Sequence, residues 1–208
     1  MNVYDFDSTI FYPDSSMCFL LFAIKKQPSV FLNIFRVIPA AIRYRHKKIS
    51  VEQLKETLFG FLPKIKDIDA LTDSFVEEYS GHIQKWYLER RRDDDVIISG
   101  SPEFYVGKFG KKFGFEVIST RMDKHTGKIE GINCTKEEKV RRLMEAHPGA
   151  AVENFYSDSL ADTPIALCAE KAHMVTNKAR TVTDWPHLDP ETMQEVRRKI
   201  NTGWTIHI

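Results

Sequence analysis

Almost at its start the chain reads Asp5-Phe6-Asp7-Ser8-Thr9, directly after a short apolar stretch, Val3-Tyr4. Successive side chains of a strand alternate sides, so Asp5 and Asp7 face one way while Phe6 turns to the core. Two carboxylates held that close repel unless a cation lies between them or one takes a proton. The arrangement is costly at the end of a purely structural strand. It therefore marks a site beyond the strand's carboxyl end.

Three further segments point to the same place. Val96-Ile97-Ile98-Ser99-Gly100-Ser101-Pro102 is a β-type run that ends in a hydroxyl, a glycine and a proline suited to the first turn of a helix. Ser99, or Ser101 instead, could also cap that helix. Lys136-Glu137-Glu138-Lys139-Val140-Arg141-Arg142-Leu143 reads as the start of an amphipathic helix with two candidate lysines. Phe155-Tyr156-Ser157-Asp158-Ser159-Leu160-Ala161-Asp162 follows the apolar run 152–156 and sets two acids four residues apart at a strand-to-helix turn. In an open α/β sheet the ligand crevice lies beyond the carboxyl ends of the strands, where all four segments end.

The rest of the chain organises around them. Residues 1–13 and 92–208 read as an α/β core, a doubly wound parallel sheet of Rossmann type with strands and helices alternating from 96 to 183. Residues 14–91 read as an inserted, all-helical cap with helices over 15–27, 29–47, 50–61 and 68–91. Pro28 separates the first two, and Ser50 with Gln53 makes a capping box for the third. A Thr126-Gly127 turn suggests a small β excursion between 118–120 and 128–131. Asp189-Pro190-Glu191 starts a last helix to about Ile200.

The four segments resemble the four motifs of the haloacid dehalogenase superfamily, in the form carried by phosphatases with a helical cap after the first motif. The subfamily that includes phosphoserine phosphatases is the nearest type. The resemblance implies that Asp5 is the nucleophile and Asp7 the general acid and base. It implies that Ser99, Gly100 and Lys139 bind the transferring phosphoryl group, with Lys139 preferred over Lys136 because its helix phase matches the family spacing. It implies a Mg2+ cofactor held by Asp5, Asp158 and the backbone carbonyl of Asp7, with Asp162 in support behind it.

Elementary chemistry leads to the same roles. Phosphoryl transfer demands an in-line nucleophile and neutralised charge. A carboxylate can attack phosphorus and split one hard step into two through an acyl-phosphate. Nucleophile and substrate are both anionic, so a hard cation with a few carboxylates, a carbonyl and waters suits the site. Asp7 can protonate the departing alkoxide and then activate water. The expected activity is a Mg2+-dependent phosphomonoesterase acting on a small organic phosphate. A phosphate-binding module that kept only the fold is the non-enzymatic alternative.

Composition bounds the setting. With 208 residues, 42% apolar and 28% charged, the chain matches one ordinary globule with an insertion. Three scattered cysteines, Cys18, Cys134 and Cys168, suit a reducing compartment and neither disulfides nor zinc. The amino terminus lacks the basic region of a signal peptide, so a cytoplasmic location is expected. A net charge of +1 gives no reason to expect a nucleic-acid partner. The oligomeric state is not legible.

Substrate choice falls to the cap. Asp14 stands nine residues after Asp5, and in phosphoserine phosphatases an acid at that spacing meets the substrate ammonium, which implies an amino-alcohol phosphate such as phosphoserine. It also reads as the N-cap of the helix from Ser15. Ser157-Asp158-Ser159 and Ser99-Gly100-Ser101-Pro102 depart from the phosphoserine type, and with the stretch around Lys139 they resemble a phosphatidylglycerophosphate phosphatase branch, whose substrate is a lipid phosphate. Residues 25–66 carry ten Lys/Arg against two Glu. On helix 29–47 the stripe Asn33, Arg36, Ala40, Arg43 and Lys47 reads as a polar, basic face. Such a helix suits peripheral contact with an anionic membrane, or is a cap helix with a solvated basic face. Pro39 and the polar residues keep it short of a span.

Overall fold

The computed structural model describes residues 1–204, and side chains to residue 200. Six strands form one sheet in the order β3-β2-β1-β4-β5-β6. β1 (Asn2–Tyr4) lies at its centre, parallel to β2 (Val96–Pro102) and β4 (Val152–Ser157). Val3 stands opposite both Val96 and Phe155, and Tyr4 opposite Ile97 and Tyr156. β3 (Glu116–Thr120) and β5 (Ala169–Thr176) extend the parallel sheet on either side, and β6 (Thr181–Asp184) closes it antiparallel to β5. The expected doubly wound α/β sheet is therefore present. Chain direction across the sheet reverses at β1, so the crevice beside β1 and β4 is the switch point where such sheets bind ligands.

Alternation along β1 and β2 splits the core in two. Val3, Val96 and Ile98 enter one cluster with Val140, Leu143, Phe155 and Ile165. This face is covered by α7 (Glu137–Ala146), α8 (Thr163–Ala166) and α9 (Pro190–Trp204). Tyr4 and Ile97 enter the other cluster, under α6 (Glu103–Phe113).

The helices between β1 and β2 also lie on that second face. They are α1 (Ser15–Lys26), α2 (Ile34–Arg45), α3 (Val51–Leu58), α4 (Ile68–Tyr79) and the short α5 (Lys85–Leu88). The capping box at Ser50 and Gln53 is formed in both directions. An aromatic joint fastens the insertion to α6. Phe75 packs against Phe19, Phe22, Tyr105 and Phe109, and Phe19 stacks on Tyr105. All five of the Phe and Tyr side chains in this joint are buried.

Three helix expectations change. The segment read as one helix over 29–47 starts as a 3-10 turn, Pro28–Asn33, because Pro28 supplies no N–H and Gln27 is extended. The helix read to 91 stops at Tyr79. Ile83 bridges antiparallel to Phe11 beside the first motif, and Gln84 N–H donates to the Ile10 carbonyl at 2.8 Å. A long-range pairing overrides the helical period there. The last helix runs on to Trp204, past the expected end near Ile200. The excursion at Thr126-Gly127 is a tight turn, with Gly127 at φ 74° and Met122 bridging Ile129. That left-handed φ favours glycine, and a Cβ there would meet the Phe59 carbonyl at 2.6 Å.

Candidate active site

β1 stops at Tyr4, but the ladder reaches one residue further. The Asp5 N–H donates to the Tyr156 carbonyl of β4 at 2.8 Å, which fixes Asp5 at the sheet's carboxyl edge. The chain then winds tightly around one carbonyl. The N–H groups of Thr9, Ile10 and Phe11 all reach the oxygen of Phe6, at 3.3, 3.1 and 2.9 Å. Phe6 is fully buried against Phe11 and Phe109. The ring that faces the core thus anchors the turn that carries Asp7.

Lys139 lies in the first turn of α7 and is 2% exposed, whereas Lys136 is exposed and precedes the helix. The Lys139 Nζ donates to Asp5 Oδ1 at 2.5 Å and to Asp162 Oδ2 at 2.8 Å. The Ser157 hydroxyl, at the end of β4, donates to the same Asp162 oxygen at 2.7 Å. Burial alone would favour a neutral amine, but Asp162 and Asp5 outweigh it and hold Lys139 charged, its pKa well above the ordinary value. Burial pushes the Asp5 carboxyl up, Lys139 pulls it back, and Asp162 and Asp7 push the same way as burial. Lys139 occupies Oδ1, while Oδ2 keeps only a long contact from the Thr9 hydroxyl at 3.5 Å among the described residues.

Asp7 is held from the other side. Its Oδ1 accepts the Ser15 N–H, at the start of α1, at 2.6 Å, and its Oδ2 accepts the Ser101 hydroxyl at 2.5 Å. Behind them Ser15, Ser16, Ser101 and the buried Tyr105 form a hydroxyl cluster with contacts of 3.0–3.4 Å. Ser99 is fully buried in the middle of β2, its hydroxyl accepting the Ser101 N–H at 3.0 Å. Neither serine caps α6: that helix starts after Pro102 with no side-chain cap. The capping alternative is therefore not realised: the Ser99 hydroxyl takes the Ser101 N–H, and the Ser101 hydroxyl donates to Asp7.

Asp158 follows β4 and is exposed at the rim. Its N–H donates to the Thr9 hydroxyl at 3.0 Å, which ties it to the turn that also carries Asp5 and Asp7. Partial burial, then Asp162, push its carboxyl up to about 6, although exposure to solvent screens part of that. Asp14 does cap α1, accepting the Met17 N–H at 2.8 Å. Burial and then the nearby Asp7 raise its pKa, while Lys55 opposes them.

Lys55 is the residue that sequence reading missed. From α3 it crosses to the core, donating to the Gly100 carbonyl at 2.6 Å and to Asn133 Oδ1 at 2.9 Å. The Thr120 hydroxyl braces the same two acceptors. A lysine ammonium has three donors, so one remains for a ligand. Burial lowers the Lys55 pKa, and Asp7 and Asp14 oppose that. At Gly100 a Cβ would meet Thr135 Cγ2 at 3.0 Å and Lys55 Nζ at 3.1 Å, so a side chain there would press on the Lys55 contact.

The electrostatics of the cleft are lopsided. Asp5, Asp7, Asp14, Asp158 and Asp162 gather here, and Lys55 and Lys139 are the lysines that act on them most strongly among the described residues. A site so rich in carboxylates repels an anion unless a cation joins it. Among the described residues no three acidic, histidine or cysteine side chains form a ready metal cage. Two carboxylates with a backbone carbonyl and waters are instead the hard, incomplete donor set that suits Mg2+.

A crevice at the switch point of a doubly wound sheet, with an oriented carboxylate and a buried lysine, defines a group-transfer site of the α/β class. Residues 3–167 match the haloacid dehalogenase-like hydrolase model, and the chain belongs to that family. It is 26% identical over 191 residues to the protein CicA of Caulobacter vibrioides, covering 83% of this chain and 84% of that one. Among solved structures it is similar to a Bordetella pertussis Tohama I protein of unknown function, with TM-score 0.70, 18% identity, and coverage of 96% and 95%. It is also similar to a probable phosphoserine phosphatase from Vibrio cholerae, with TM-score 0.60, 15% identity, and coverage of 82% of this chain and 55% of that one. These two likenesses show the fold.

The buried triad yields a stability prediction. In Lys139→Met, Asp5 and Asp162 lose their counter-charge, and unfolding in urea at neutral pH without metal should show a loss of about 3–5 kcal/mol. Lys136→Met should stay within about 0.5 kcal/mol of wild type. The Lys139→Met deficit should shrink as pH falls, because Asp5, with its raised pKa, protonates readily and a neutral carboxyl needs no counter-charge. A deficit that grows on acidification would contradict this reading of the triad.

Proposed function

We propose that this hydrolase is a Mg2+-dependent phosphomonoesterase that works through a phosphoryl-aspartate on Asp5. The observation that carries the reading is the clamp on Asp5. Its Oδ1 is held by Lys139 while Oδ2 is left open beside Asp7. Oδ2 attacks phosphorus, and the bond from phosphorus to the substrate alkoxide breaks. Asp7, in its acid form, gives its proton to the departing oxygen. Water then attacks the acyl-phosphate, Asp7 takes its proton, and phosphate leaves with Asp5 restored. The Ser15 N–H and the Ser101 hydroxyl hold the Asp7 carboxylate in place between the two steps. Lys139, with Ser99 and the Gly100 backbone, faces the transferring phosphoryl oxygens. Mg2+ held by Asp5, Asp158 and the Asp7 carbonyl would supply the charge neutralisation that lets an anionic ester approach an anionic carboxylate. Asp162 supports that set from behind, through Lys139 and Ser157.

The mouth of the cleft bears on the leaving group. Asp14 offers a carboxylate and Lys55 an unspent donor, so an amino-acid phosphate such as phosphoserine, with both an ammonium and a carboxylate, fits the pair. The alternative of a silent phosphate-binding module has less support, because the nucleophile and proton-transfer positions are both filled.

Two experiments test the proposal. EDTA should abolish phosphate release from p-nitrophenyl phosphate and Mg2+ should restore it. Asp158→Ala should need far more Mg2+ for the same rate. In the wild type, Mg2+ should raise the melting temperature more as pH rises through about 6, where Asp158 loses its proton. Full activity in chelator would end the metal assignment. Asp7→Asn should slow a poor leaving group, such as an alkyl phosphate, by about 10²–10⁴-fold in single turnover. With p-nitrophenyl phosphate, whose leaving group needs no proton, the first step should suffer much less. Equal losses for both esters would contradict the role given to Asp7.

A further inference from the structure

The 3-10 turn at Pro28–Asn33 and α2 are buried on a narrow face, with Val30, Asn33, Val37 and Ala40 turned inward. The stripe read as a polar, basic face is therefore corrected: Asn33 and Ala40 pack inward, and the Asn33 amide donates to the carbonyls of Thr57 and Leu58 at 3.1 and 2.9 Å. The outward face is apolar. Phe31, Phe35, Ile38 and Ile42 are 50%, 68%, 55% and 55% exposed, at the three-and-four spacing of one helical stripe, and Leu32 beside them is 59% exposed. The rings of Phe31 and Phe35 meet edge to face at 6.1 Å. So concentrated an apolar surface is unusual for a freely soluble protein and marks a contact surface.

Charge names the occupant. Residues 15–51 contain no acid, while Arg36, Arg43, Arg45, Lys47 and Lys48 lie on or just beyond this ridge. Several surface lysines elsewhere are paired, Lys108 with Asp73, Lys124 with Asp69 and Lys128 with Glu56. Among the described residues no carboxylate pairs with any of the five cations of the ridge. Bulky apolar side chains flanked by unpaired cations complement the interface of an anionic bilayer, whose acyl region takes the first and whose headgroups take the second. No helix of the described residues is long and apolar enough to cross a membrane, so the ridge would lie in the interfacial plane.

We propose that the face carrying Phe31, Leu32, Phe35, Ile38 and Ile42, with Arg36, Arg43, Arg45, Lys47 and Lys48, docks the protein reversibly on an anionic lipid bilayer. Docking stands on its own observations. Its consequence, that the enzyme is concentrated where phosphorylated headgroups are displayed, rests on the phosphatase reading. Exposed Met17 and Leu21 add apolar surface on α1, whose first turn adjoins Asp14 at the cleft mouth.

Flotation of the full chain with vesicles decides the matter. Phosphatidylcholine vesicles containing phosphatidylglycerol should carry the protein at low salt, and phosphatidylcholine alone should carry little. Molar salt should release it, since the Debye length falls to about 3 Å. Phe35→Ser with Ile38→Ser, and separately Arg43→Gln with Lys47→Gln, should each lower the partition coefficient at least about tenfold. Both variants should keep the wild-type circular dichroism and melting temperature. Asp5→Asn should float like wild type, so a failed catalytic assignment leaves the docking result readable. Absence from the acidic vesicles, or unchanged flotation of the Phe35/Ile38 variant, would overturn the proposal. So would a concentration-dependent dimer that the same variant abolishes, because the ridge would then belong to a second copy of this chain.

Discussion

One ammonium group holds the site together. Lys139 is buried between Asp5 and Asp162, and each of the three comes from a different element: the end of β1, the first turn of α7 and the segment after β4. A buried charge is tolerated only when it is paired and hydrogen-bonded, so the three elements are locked in mutual register by the cost of separating them. The same contact leaves Asp5 Oδ2 with only the long Thr9 contact among the described residues, while Asp7 is fixed independently by the start of α1 and by Ser101. In the proposed mechanism, nucleophile and acid would thus have separate anchors, so that one could react while the other kept its place.

The insertion closes over this arrangement by apolar and polar means. Phe75, Phe19 and Tyr105 join it to α6, and Lys55 crosses from α3 to the Gly100 carbonyl. The backbone beside Ser99 therefore serves both the core and the cap. A side chain at Gly100 would press on Thr135 and on the Lys55 contact together, since a Cβ there would lie 3.0 and 3.1 Å from them.

Much of this gathering of side chains was legible in the sequence because it rests on short, strongly patterned segments. Asp5 and Asp7 flank a core-facing Phe6 with period two, and Lys139 is in phase with Val140 and Leu143 on one helix face, both of which are buried. Lys55 was not legible as a site residue: its contact to Gly100 spans 45 positions, and nothing in its own neighbourhood announces it. Thr9 and Ser101 lie inside the patterned segments, but their contacts to Asp158 and Asp7 span 149 and 94 positions and were not legible there. The end of α4 was missed for the same reason, because the Ile83–Phe11 bridge that competes with the helix is long-range. The face of α2 was misread for another. Residues 30, 33, 37, 40 and residues 31, 35, 38, 42 both make helical stripes, and the more apolar of the two turned out to be the exposed one. Periodicity identifies candidate faces, but packing chooses between them.

The central claim is that Asp5 carries the phosphoryl group. The most direct measurement is an acid quench of the wild-type protein during turnover of p-nitrophenyl phosphate with Mg2+, followed by peptide mass spectrometry. The account predicts one phosphoryl group on the peptide that contains Asp5, labile to hydroxylamine as an acyl-phosphate should be, and absent from Asp5→Asn. A label on Ser99 or Ser101, or near wild-type turnover by Asp5→Asn, would contradict it.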